Sequence, residues 1–81
     1  MRIPRDISSD KLIKLLDKFG YNITRQTGSH IRITSSFKGN EHHITIPSQK
    51  SLKIGTLNNI INDIIEYLEM DKKNFIIQLF E

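Results

Sequence analysis

The chain has 81 residues and a formal charge of +3, with 26% charged residues, 37% hydrophobic residues and no cysteine. This length makes one small domain, residues 1–81, that buries only about 60–65% of its unfolded surface, so shallow pockets and no buried cofactor are expected. Without cysteine there is neither a disulfide framework nor a thiolate zinc site, which fits a cytoplasmic protein, and no apolar run approaches the ~20 residues of a membrane span.

Ser8, Ser9 and Asp10 are helix-start residues, and Leu12, Ile13, Leu15, Leu16 and Phe19 recur at helical spacing up to Gly20. They predict an amphipathic helix over residues 9–19. Residues 21–26 alternate and are rich in strand formers. Gly28-Ser29 is a bend, and residues 30–34 form a second alternating strand. Residues 35–40 carry turn chemistry. A third strand over residues 41–46 is closed by Pro47, which has no N–H for a sheet. A polar loop leads to a second helix over residues 55–68. Asp71 is placed to cap a third, with Met70 and Phe75 as a hydrophobic staple. The order is α-β-β-β-α plus a short last helix, an α+β chain whose three-stranded antiparallel sheet has one covered and one open face.

Charge is uneven along this order. Residues 1–53 hold ten lysines and arginines against four acidic residues, and residues 54–81 hold two against five. A basic N-terminal two-thirds suits a polyanion, and it equally suits a solvated surface. Arg2, Arg5, Lys11 and Lys14 form a candidate basic track beside the first helix.

Side chains alternate along a strand. If Ile31 and Ile33 face the core, His30, Arg32 and Thr34 face outward. If Ile44 and Ile46 face the core, so does His42, while His43 and Thr45 face outward. His42 and His43 therefore do not share a metal, and His30 with His43 falls short of the usual three or four ligands, so no metal site is expected. Gly28 serves either a positive φ or a close approach to the backbone. Ser29 either orients its neighbour, binds phosphate or completes a turn. Lys53-Ile54-Gly55-Thr56 opens the second helix, as a phosphate seat or as an ordinary cap.

Gly28-Ser29-His30 runs directly into Ile31-Arg32-Ile33-Thr34. It is followed by His43-Ile44-Thr45-Ile46-Pro47 and Leu52-Lys53-Ile54-Gly55-Thr56-Leu57. This ordered set resembles the HicA (YcfA-like) family of toxin–antitoxin mRNA interferases, over nearly the whole chain from Ile3-Pro4-Arg5 to the last apolar helix. The resemblance implies a double-stranded-RNA-binding-domain-like fold, mRNA cleavage that depends on His30, and a HicB-like antitoxin covering the active face. RNA brings its own nucleophile, the 2′-hydroxyl. On that footing His30 is the expected general base. Arg32 and Lys53 are the candidates for charge stabilisation. Gly28, Ser29 and Thr56 complete the candidate RNA contacts. Water, or His43 across the open face, supplies the leaving-group proton. The alternatives are a non-catalytic double-stranded-RNA-binding module and a protein-interaction domain. The first needs the same fold and charge but not Gly28-Ser29-His30.

Overall fold

A computed structural model describes residues 3–81, so Arg2 of the candidate basic track lies outside the described residues. The first helix, α1 (Ser9–Leu16), starts where the Ser8 hydroxyl accepts from the Lys11 N–H at 3.1 Å, the usual N-cap bond. A 3-10 turn, Asp17–Phe19, follows and stops at Gly20, whose φ is +81°. There the Gly20 N–H donates to the Asp17 carbonyl and the Tyr21 N–H to the Leu16 carbonyl. This left-handed glycine closure holds Tyr21 to the helix end. The first strand, β1 (Asn22–Thr27), therefore begins one residue later than alternation predicts.

The strands β1, β2 (His30–Ser35) and β3 (His42–Pro47) form an antiparallel sheet in the order β1-β2-β3. Pro47 is part of β3, opposite His30. It is tolerated because β3 is an edge strand, and the Ser48 N–H continues the pairing by donating to the Ser29 carbonyl at 2.6 Å. The helices α2 (Ile54–Leu68) and α3 (Lys72–Phe80) complete the chain. The Asp71 carboxylate caps α3 by accepting from the Asn74 N–H at 3.1 Å. Met70 packs against the core, in which Phe75 is fully buried. The architecture is the α+β, double-stranded-RNA-binding-domain-like α-β-β-β-α arrangement with one further helix.

Ile31, Ile33, Ile44 and Ile46 are all buried on the covered face of the sheet. Leu12 and Leu16 of α1, Leu57, Ile61 and Ile64 of α2, and Phe75, Ile76 and Leu79 of α3 join them in one core. Ile23 of β1 pairs with Ile33 yet stays 53% exposed, because the helices do not reach that edge.

His42 sits on the covered side, as alternation predicts, and ties the sheet to α2. Its Nδ1 lies 2.7 Å from the Tyr21 hydroxyl and its Nε2 lies 3.2 Å from Asp63 Oδ1. Its ring stacks on Tyr67 at 4.6 Å between centroids. Burial pushes the Tyr21 hydroxyl far above its ordinary pKa, and Tyr67 and Asp63 push the same way. The hydroxyl stays protonated and donates to Nδ1, while Nε2–H donates to Asp63, which offers only acceptors. The Tyr67 hydroxyl in turn donates to the Asn40 carbonyl and accepts from the Lys38 N–H, holding the β2–β3 loop. Replacing Tyr21 with Phe removes one bond from this cluster and leaves Nδ1 unpaired. It should lower stability by about 1 kcal/mol, read as an earlier denaturant midpoint. An unchanged midpoint would show that the bond contributes nothing.

Candidate functional site

The site begins at the β1–β2 turn. Thr27 pairs with His30, so Gly28 and Ser29 form a two-residue hairpin loop. Gly28 has φ +56°, and Ser29 is not among the positive-φ residues. A positive φ at the first central position alone is the type II′ pattern that suits twisted hairpins. A Cβ on Gly28 would meet nothing within 4 Å. Of the two readings of this glycine, the chain's own structure requires the positive φ and no close approach.

The turn delivers His30 as the first residue of β2, exposed on the open face, with Arg32 half-buried two residues on. The open face is a grid of three rows. Thr27, His30 and Pro47 form the first, Arg25, Arg32 and Thr45 the second, and Asn22, Thr34 and His43 the third. Rows are ~7 Å apart, two residues along a strand. Arg25, Thr27, His30, Arg32 and Thr45 line one depression of about 240 Å³. No strand residue is acidic, so the depression presents an imidazole beside two permanently charged guanidiniums. Such a group set is chemically able to bind a phosphodiester and to move a proton to or from an adjacent hydroxyl.

Arg25 and Thr27 are functional candidates that sequence reasoning missed. Strict alternation from Tyr21 and Ile23 would place Arg25 on the covered face. The pairing instead slips between Ile23, opposite Ile33, and Arg25, opposite Arg32. This β-bulge at Thr24 turns both Thr24 and Arg25 outward. The available sign was the arginine itself, at a position that alternation assigns to the core.

The other expected site residues lie elsewhere. Lys53 is the N-cap residue of α2 and makes no side-chain cap bond. It lines a separate cavity of about 1020 Å³ with Arg5, Ile54 and Phe80. Thr56 is half-buried in the first turn of α2 and lines neither cavity. Arg5, Lys11 and Lys14 are exposed.

His43 is on the open face as expected, but it is out of reach of His30. It pairs with Thr34, four residues along β2 from His30, a separation of ~13 Å. Its Nδ1 is bonded to Thr34 Oγ1 at 2.8 Å. Two side chains that far apart and parallel cannot serve one phosphodiester, so His43 is removed as the leaving-group acid.

No curated protein and no solved structure matches the chain. A family model described as the HicA toxin of bacterial toxin–antitoxin matches residues 9–65, a span that holds the whole sheet, the Gly28-Ser29 turn, the depression around His30 and most of α2. By that match, the chain belongs to the HicA toxin family.

Proposed function

We propose that this chain is the toxin of a type II toxin–antitoxin pair and cleaves mRNA in the cytoplasm on its open sheet face. The observation that carries this reading is the exposed His30 set in one depression with Arg25 and Arg32. His30 takes the proton from a 2′-hydroxyl, and the oxygen attacks the adjacent phosphorus. The two arginines stabilise the charge that develops on the non-bridging oxygens. The 5′-oxygen leaves and takes its proton from water. Gly28 and Ser29 bring the phosphate backbone against the turn, whose outer side is open. Lys53 and Thr56, at the N-terminus of α2, hold the RNA at a second point outside the depression.

The mechanism is tested by variants, by product analysis and by chelation. His30→Ala should abolish cleavage yet stay folded, within about 0.5 kcal/mol of wild type, as exposed substitutions usually do. It should also keep salt-dependent RNA binding, since phosphate contacts dominate such affinity. Arg25→Ala and Arg32→Ala should each lower kcat by about 100-fold. Products should carry a 2′,3′-cyclic phosphate, or the 3′-phosphate it yields, and a 5′-hydroxyl. Cleavage should persist in a chelator. Products with a 5′-phosphate would overturn the scheme. RNA bound tightly by wild type and never cut would favour a non-catalytic double-stranded-RNA-binding module.

The same basic face suits a HicB-like antitoxin that presents acidic groups and covers His30 and Arg32. Arg32→Glu should weaken that complex, chiefly through slower association that is sensitive to salt, and Lys53→Glu should do so only if the antitoxin also reaches the start of α2, outside the depression. An antitoxin complex in which His30 remains open to solvent would contradict this surface.

A further inference from the structure

The third row of the open face has chemistry of its own. His43 Nδ1 is held by Thr34 Oγ1 at 2.8 Å, and Thr34 Oγ1 is held by Thr24 Oγ1 at 2.8 Å. Thr34 is only 8% exposed, so the imidazole is fixed from beneath while its side chain stays 40% open to solvent. Glu41 Oε1 lies 3.6 Å from His43 Nε2. That is too long for a hydrogen bond, so the carboxylate keeps its acceptor positions.

We propose that His43 and Glu41 form a base-reading subsite on the RNA-cleaving face. It takes an unpaired base with an exocyclic amino group, cytosine best, two grid rows from the cut. The inference rests on the ribonuclease reading above for its substrate. The base stacks on the imidazole and donates its amino hydrogen to Glu41. A carboxylate beside a basic sheet repels phosphate, so the partner it selects is a hydrogen-bond donor. Glutamate accepting from the cytosine amino group is an established pairing, and single-stranded RNA is read by stacking on aromatic and histidine rings. Uracil presents an acceptor oxygen at the equivalent place and is disfavoured. Because the ring is already fixed, little ordering entropy is lost on binding. The ~13 Å between His43 and His30 places the base that is read outside the reacting nucleotide.

The test uses uncleavable 2′-O-methyl oligonucleotides, so binding is read without cleavage. A uridine hexamer and hexamers with one cytidine at each position are titrated by fluorescence anisotropy. The proteins are wild type, His43→Ala, His43→Phe and Glu41→Gln, each checked for folding by circular dichroism. In wild type, cytidine in one register should tighten binding about tenfold over uridine. Glu41→Gln should erase that ratio, because an amide serves both bases. His43→Ala should weaken both ligands several-fold, and His43→Phe should recover the loss, which a merely structural histidine would not allow. Equal cytidine-to-uridine ratios in all four proteins would overturn the subsite, as would variants that weaken only antitoxin binding. Cleavage of ordinary RNA is read separately. Register-specific cytidine binding without cleavage would uphold the subsite and remove the ribonuclease reading.

Discussion

Ile31 and Ile33 of β2 lie opposite Ile46 and Ile44 of β3, all four buried beneath the helices. Each such burial contributes roughly 1.5–3 kcal/mol. Because side chains alternate with period two, a slip of one residue in either strand turns its whole apolar set outward. Slipping both would expose four isoleucines and bury two histidines and an arginine, at a loss on the order of 10 kcal/mol. That is comparable to the entire stability of a small domain. The isoleucines thus hold His30, Arg32 and Thr45 on the open face, although none of them takes part in the chemistry proposed there.

The two adjacent histidines show how one strand serves both sides of the sheet. His42 faces the helices and is stacked on Tyr67 between Tyr21 and Asp63. Its bonds fasten the start of β3 and, through Tyr67, the β2–β3 loop to α2. His43 faces outward onto Thr34. The fastened end of the sheet lies opposite the Gly28-Ser29 end, where the His30 side chain has no hydrogen-bonding partner among the described residues. The structural bonds gather at one end and leave the imidazole at the other end free to meet a ligand.

In the proposed reading, RNA and antitoxin compete for one basic surface. Arg25 and Arg32 carry fixed charge in planar forks that match a phosphodiester or a carboxylate equally well. The same groups that hold a scissile phosphate would then hold acidic side chains of the antitoxin, and inhibition follows from occupancy alone. No shape change in the toxin is needed for it.

Element order and the orientation of His30, Arg32, His42, His43 and Thr45 were legible from alternation and capping residues, because those signals are local. The Gly28-Ser29 turn and Gly20 stop were legible for the same reason, since each answers a φ requirement within one turn. The place of Arg25 was not, because a bulge depends on how one strand meets another and leaves no periodic trace in its own strand. Nor was the distance from His43 to His30, which follows from the β2–β3 register. The separation of Lys53 from the depression follows from where α2 enters the helical layer. The sequence by itself therefore determined which residues of β2 and β3 face outward, but not those of β1 beyond its bulge. The tertiary structure alone decided which of them stand together, because proximity across strands comes from pairing register and packing rather than from any one segment's pattern.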